Sequence, residues 1–328
     1  PRPGQQHRLE LRRQLRLREN QRRVPHLSLR ARIAVACGVL VDARGQVLVA
    51  QRTSGKIAAG RWEFPGGKIE PDESAHAALV RELHEELGIE VTQARPLIRV
   101  VHDYSDRTVV LDTWLIGAWK GEPQSREGQA FQWLRPERLW DVDLLEADGP
   151  IVNALKLPAH YVFTPPGMTL PELLQRMQRL PQGALLRLRL PQFDAKAYEM
   201  AAVAAIERGR ALGLSIVLDR EPQQVEALGA AGWHASVAAA ASLRDRPVSE
   251  GKWLIGSAHN PQELATLGAI GADAAVLGPV QATASHPGQP ALGWDAFCAL
   301  ATAANIPVYA IGGVGPGQLT QAQAAYGQ

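Results

Sequence analysis

From Ile33 onward the chain breaks into short apolar runs separated by turn signals. "IAVACGVLVD" (Ile33–Asp42) and "QVLVAQR" (Gln46–Arg52) read as strands, with "ARG" between them as a hairpin connection. After "RWEFPGG" the apolar spacing becomes helical, and Glu73–Leu87 is predicted as one long helix. "VVLDTWLIGAW" and "FQWLR" follow as strands, and a last helix is expected near Pro150–Leu157. This is the pattern of a mixed α/β domain of about 125 residues, within the usual domain range.

"KLPAHYVFTPPG" is a proline-rich boundary, after which apolar strands alternate with Ala- and Leu-rich helices. The strands are "HYVFTP", "ALLRLRLP", "LSIVLD", "GWHAS", "KWLIGSA", "AAVLGPV" and "VYAIGGV". Such alternation argues for βα units around a parallel sheet. Seven strands are one fewer than a (β/α)₈ barrel needs. The fold class expected is therefore α/β: a first α/β domain over 33–158, then a barrel-like domain over 159–328 that lacks its last strand. Residues 1–32 stand apart as a charged arm.

Composition changes this picture little, except at the arm. Hydrophobic content of 46% and charged content of 21% are ordinary for a globular chain. The net charge of +2 conceals an asymmetry, because residues 1–32 hold ten arginines and only two acids, Glu10 and Glu19. The body is consequently anionic and unsuited to direct nucleic-acid binding, while the arm is expected to be solvated and disordered. Cys37 and Cys298 lie far apart in apolar segments and are expected as free, buried thiols in a reducing compartment. No apolar run approaches the roughly 20 residues of a membrane span. A cytoplasmic location with no membrane role is the expectation.

The chemistry concentrates in "GKIEPDESAHAALVRELHEELGI" (Gly67–Ile89). Glu82, Glu85 and Glu86 stand at i, i+3 and i+4, so their carboxylates project from one helix face, where like charges repel unless a cation lies among them. Ala78, Leu79, Leu83 and Leu87 are available to dock the opposite face on a sheet. All-oxygen ligands suit Mg²⁺, with Mn²⁺ as the alternative. The chemistry implied is metal-assisted attack of water on a phosphate chain, with a carboxylate taking the proton.

This run resembles the Nudix signature, G-x5-E-x7-R-E-U-x-E-E-x-G-U with U aliphatic. The matches are Gly67, Glu73, Arg81, Glu82, Leu83, Glu85, Glu86, Gly88 and Ile89, with no departure. The resemblance implies a Nudix α/β/α sandwich for the first domain. It also implies that Glu82, Glu85 and Glu86 hold metal, and that Glu73 and Arg81 brace the loop–helix–loop. "RWEFPGGKIE" and "WKGEPQSREGQ" are similar to segments of the MutT-type 8-oxo-dGTP diphosphatases. That similarity adds Glu127 and the Gly66 carbonyl as metal ligands, with Glu82 as general base ahead of Glu127. On the substrate side it assigns Arg52 to phosphate, the Phe64 backbone to the base, and Tyr104 and Arg107 to the base pocket.

One position departs from the MutT-type pattern. Asp148 stands where those proteins carry the Asn that reads the modified purine. An Asn amide can donate to O6 and accept from N7–H of 8-oxoguanine, whereas an ionised Asp faces O6 without a donor. Either Asp148 is protonated when the base binds or the preferred base differs.

Residues 160–328 resemble thiamine phosphate synthase through "HYVFTPP", "GSAHNPQEL", "GADAAVLGPVQAT" and "IPVYAIGGV". Gly312 and Gly313 could bring backbone N–H groups to a phosphate. The catalytic pattern of that family is eroded: Arg189 and Asp219 are kept, but Pro191 replaces a lysine, Leu218 an Asn, and Thr283–His286 a Thr-x-Thr-Lys run. A degenerate phosphate-binding or packing domain is expected.

The expected function is a magnesium-dependent Nudix hydrolase acting on a small-molecule nucleotide, with 8-oxo-dGTP as first choice, in sanitation of the nucleotide pool that supplies DNA replication and repair. A Nudix pyrophosphatase for another X-linked diphosphate, such as a thiamine-pathway metabolite, and a phosphate-sensing module are the alternatives.

Overall fold

Strands β1 (Ala31–Leu40) and β2 (Val47–Gln51) part company after a single antiparallel bridge between Val41 and Val47. The turn is where "ARG" placed it, with the Asp42 carboxylate accepting from the Arg44 and Gln46 N–H groups at 2.8 and 2.7 Å. Beyond it the two strands enter different sheets, so the expected hairpin is only a turn. The structure, a computed structural model, describes residues 31–283 and 290–328. The Arg-rich arm lies almost wholly outside the described residues. Arg32–Gln328 make up one compact unit.

With β3 (Trp62–Glu63), β4 (Gly66–Lys68), β5 (Glu90–Asp103), β6 (Arg107–Lys120) and β7 (Phe131–Leu134), the first domain builds two sheets, ordered β4-β1-β6-β5 and β3-β2-β7. Period-two alternation sends side chains to opposite faces. Ala36, Leu40 and Leu48 face helix α1 (Ala75–Leu87), while Val39, Val47 and Val49 face helix α2 (Gly149–Lys156). The result is the expected α/β/α sandwich. Glycine at position 38 lets α1 approach closely: a Cβ there would lie 2.8 Å from Leu83 Cδ1.

Helix α1 begins at Ala75, two residues later than predicted, because Ser74 caps it by accepting from the Ala77 N–H at 3.1 Å. It ends at Gly88, whose φ of +72° suits the left-handed cap. Ala78, Leu79, Leu83 and Leu87 are all fully buried. At about 1.5–3 kcal/mol for each large apolar side chain, that burial fixes the helix against its own acidic face.

The second domain holds all seven expected strands: β8 (Tyr161–Phe163), β9 (Leu185–Leu188), β10 (Ser215–Leu218), β11 (Gly232–Ala235), β12 (Trp253–Ala258), β13 (Ala274–Leu277) and β14 (Val308–Ala310). They pair in parallel and in chain order, making a nearly closed barrel with an unsealed seam between β8 and β14. Across the seam the Tyr309 hydroxyl donates to the Pro158 carbonyl at 2.6 Å, and the rings of Tyr309 and Tyr161 lie 5.5 Å apart. Gly327 forms a parallel bridge with Val308, at the position an eighth strand would take.

Inside the barrel, His234 is fully buried between the Tyr161 hydroxyl at 3.0 Å and Ser257 Oγ at 2.8 Å. Burial pushes its pKa far down, so the ring is neutral and both nitrogens are satisfied. Cys37 and Cys298 are both free; the first is buried, the second only half-buried. Among the described residues no helix is long and apolar enough to cross a membrane.

Candidate active site

The acidic face of α1 is organised by one arginine. Arg81 grips Glu73 with two parallel hydrogen bonds, Nε to Oε1 at 3.0 Å and Nη2 to Oε2 at 2.9 Å, and holds its carboxyl below the usual range. The same guanidinium donates to the Lys68 carbonyl at 3.1 Å, to Glu82 Oε1 at 2.8 Å and to Glu85 Oε2 at 3.4 Å. Strand β4, which carries Gly66 and Gly67, is thereby tied to the helix. A Cβ on Gly67 would lie 2.2 Å from the Glu82 carboxyl carbon, so any side chain there displaces the Glu82 carboxylate.

Glu86 is the innermost acid. Its Oε2 accepts from the Gly66 N–H at 3.1 Å, and burial raises its pKa to about 7, against the opposing pull of that N–H and of Lys56. Lys56, from the loop between β2 and β3, places Nζ 2.8 Å from Glu127 Oε2 and 3.8 Å from Glu86 Oε1. Glu127 itself is carried by a loop that Gln129 fastens to the helix, donating from Nε2 to the Glu86 carbonyl at 3.0 Å and accepting from the Glu127 N–H at 2.9 Å.

These residues fit a hard divalent cation. The donors are all oxygen, and the buried Glu86 shares its surroundings with Glu127 and Glu63, with the Lys56 ammonium as a monovalent stand-in. Among the described residues no three acidic, His or Cys side chains are gathered so as to hold an ion as they stand. Lys56 is the cation that faces Glu127 and Glu86 instead.

Farther from α1, Asp148 is 3% exposed, and its Oδ2 is buried without a hydrogen-bond partner. Burial raises its pKa well above that of a free carboxyl, and the nearby Glu63 raises it further against Arg52 and Arg61. Glu63, itself raised by burial, is salt-bridged to Arg52. Arg52 also donates from Nε to the Ile57 carbonyl at 2.6 Å, so its guanidinium is committed to the β2–β3 loop rather than presented to solvent. Phe64 is buried. The Tyr104 N–H donates to the Arg107 carbonyl at 2.8 Å across the β5–β6 turn, and the Arg107 guanidinium lies 4.8 Å over the Tyr104 ring.

The structure thus brings together Gly66, Glu73, Arg81, Glu82, Glu85, Glu86 and Glu127 at one end, and Arg52 and Asp148 at the other, with Tyr104 beside Asp148 in the field that shifts its phenol. Sequence reasoning missed Lys56 and Glu63. For Glu63 a signal existed, an acid alternating with apolar residues in "RWEFPGG"; for Lys56 there was none.

In the barrel, the carboxylate of Asp219, one of the two residues kept from the family's catalytic pattern, is occupied. Arg187 donates to its Oδ2 from Nε and Nη2 at 3.2 and 3.1 Å, and the Tyr198 hydroxyl donates to Oδ1 at 3.1 Å. Most of the Thr283–His286 segment falls outside the described residues.

Residues 31–155 match the NUDIX domain family, and residues 160–326 match the family described as thiamine monophosphate synthase. The chain belongs to the Nudix hydrolases, enzymes acting on phosphoric anhydrides, and carries a thiamine phosphate synthase-like domain fused behind the Nudix domain.

Among the relatives, a CTP pyrophosphohydrolase of Escherichia coli K12 is 42% identical over 115 residues, 35% of this chain and 85% of its own length. An 8-oxo-dGTP diphosphatase of Proteus vulgaris is 43% identical over 97 residues, 30% of this chain and 87% of its own. A solved MutT structure, from work on Aliivibrio salmonicida and Vibrio cholerae, is 34% identical, covering 38% of this chain and 96% of that one with a TM-score of 0.34. A thiamine phosphate pyrophosphorylase of Pyrococcus furiosus is 15% identical, covering 52% and 83%, with a TM-score of 0.40.

Proposed function

We propose that the Nudix domain hydrolyses a nucleoside triphosphate to the monophosphate and pyrophosphate, with 8-oxo-dGTP as its preferred substrate. When bound, a divalent cation, Mg²⁺ or Mn²⁺, supplies charge neutralisation for the phosphates and acidifies a water. Glu82, Glu85, Glu86, Glu127 and the Gly66 carbonyl are the groups to hold it. Glu82, held by Arg81, is the carboxylate assigned to take the proton from the attacking water, and the Glu73–Arg81 clamp keeps β4 in register with α1.

The observation that carries the base reading is Asp148, buried with an unpartnered oxygen and a raised pKa. A neutral carboxyl presents one donor and one acceptor side by side, as the Asn amide does. Its O–H can donate to O6 of 8-oxoguanine while its carbonyl accepts from N7–H. Undamaged guanine offers O6 and N7 both as acceptors, and one of them is left facing the carbonyl. Protonated Asp148 therefore preserves the discrimination that an ionised Asp would lose.

A second reading has its own support. Cytosine carries the N4 amine as donor beside N3 as acceptor, which the same neutral carboxyl complements, and one relative is a CTP pyrophosphohydrolase. The test is pyrophosphate release with Mg²⁺ from 8-oxo-dGTP, dGTP and CTP, by wild type and Glu82→Gln. Strong preference for 8-oxo-dGTP over dGTP in wild type, with turnover of both lost in the variant, is expected. Preference for CTP moves the assignment to the second reading, and equal turnover of the two guanine nucleotides overturns the first.

A further inference from the structure

Strand β5 is the edge of its sheet, and its outward backbone groups are met by the second domain. The Val101 N–H donates to Asn305 Oδ1 at 2.7 Å, and Asn305 Nδ2 donates back to the Val101 carbonyl at 3.1 Å. Four residues lower, Gln328 Nε2 donates to the Leu97 carbonyl at 3.1 Å. On the neighbouring strand, the Tyr326 hydroxyl donates to Asp112 Oδ1 at 2.7 Å, an oxygen that also accepts from Trp114 Nε1 at 2.9 Å. Every one of these contacts falls on the β5–β6 hairpin.

The Asn305 contact has the form of strand pairing. A side-chain amide set against one peptide unit offers the donor and acceptor that a neighbouring strand would offer. Asn305 holds φ at +55°, the left-handed region that Asn tolerates better than most residues, just before β14. Its target lies three residues before Tyr104. Between them, His102 packs edge-on against the Tyr104 ring at 4.5 Å, and Asp103 accepts from the Thr108 hydroxyl at 2.5 Å. The turn so held carries Tyr104 and Arg107, whereas the acids Glu82, Glu85 and Glu86 ride on α1.

We propose that Asn305, in the thiamine phosphate synthase-like domain, is a positioning residue for base recognition by the Nudix domain, acting through Val101 on Tyr104 and Arg107. The proposal rests on the reading that Tyr104 and Arg107 face the nucleobase. The barrel, its own acid Asp219 tied up by Arg187, then serves the first domain by fixing the strand that leads into the base pocket.

Asn305→Gly in the full chain is the direct test, because glycine keeps the left-handed backbone and removes only the amide. Two readouts are needed: hydrogen–deuterium exchange over Val101–Arg107, and steady-state kinetics on 8-oxo-dGTP and CTP. Exchange should rise roughly tenfold, and KM roughly tenfold with kcat held within about twofold, the signature of lost binding rather than lost chemistry. Should Asn305→Gly fail to fold, Asn305→Asp, which keeps the acceptor but loses the donor, is read the same way. Unchanged exchange over Val101–Arg107, or a fall in kcat at constant KM, overturns the proposal. Raised exchange with no turnover of any triphosphate by wild type supports the positioning and overturns the substrate reading instead.

Discussion

Lys56 Nζ sits 2.8 Å from Glu127 Oε2, an ion pair between the loop that follows β2 and the loop that precedes β7. The hydrogen bond to Glu127 raises the lysine's pKa, so the ammonium is charged throughout the neutral range. It is a built-in cation at the place where the carboxylates would take a divalent one. Replacing it by Lys56→Met removes that competitor, and Mg²⁺ or Mn²⁺ affinity measured by calorimetry without nucleotide should rise about threefold to tenfold. Unchanged or weaker metal binding would show that Lys56 does not compete.

Gly67→Ala places a methyl into the volume of the Glu82 carboxylate. The atom met is the far end of a side chain, so the fold can absorb the change by moving Glu82. Thermal stability should alter little while kcat falls roughly a hundredfold, the scale of a misplacement of about 1 Å in a catalytic group. A variant that keeps full activity would argue that Glu82 has no fixed role.

Asp148 gives a pH dependence with a definite sign. Its carboxyl titrates higher in the folded protein than in the unfolded chain, where the value is about 3.9. The stability this contributes is full below about pH 3.9 and is lost as pH rises through the folded value. Asp148→Asn removes the loss, so its gain in Tm over wild type should be near zero at about pH 4 and grow towards about pH 8. The same variant should keep its preference for 8-oxo-dGTP over dGTP at high pH, where wild type loses it. A Tm gain confined to acid pH would contradict the burial argument.

Arg187 and Asp219 are 13% and 11% exposed and joined inside the barrel. Removing one partner strands the other, so Asp219→Ala should cost about 3–5 kcal/mol by denaturant unfolding. Replacing both, as Arg187→Met with Asp219→Leu, should recover most of that. Full stability in Asp219→Ala would show that the pair contributes nothing to the fold.

The barrel strands were legible because each is a short apolar run bounded by turn residues, and a parallel sheet buries both faces. The docking face of α1 was legible from Ala78, Leu79, Leu83 and Leu87 alone. Strand β5 was not. "EVTQARPLIRVVHD" is polar through its first half and contains Pro96, which argues against a central strand but is tolerated on an edge, where β5 lies. The register shifts between Pro96 and Ile98 are the local result. Lys56 and Asn305 were invisible for a different reason: their partners stand 71 and 204 residues away, and no local pattern announces such a contact.

The partners of β5 have one more consequence, set by the order of synthesis. Asn305 lies 204 residues beyond Val101, and Gln328 lies 231 beyond Leu97. At about 5–20 residues per second, Val101 leaves the ribosome roughly 10–40 s before the residue that pairs with it is made. For that interval the nascent first domain carries an uncovered strand three residues from Tyr104. Translation speed between Val101 and Asn305, rather than assembly of the Nudix sheets, then decides how long the newborn chain can pair with a neighbour on the same polysome.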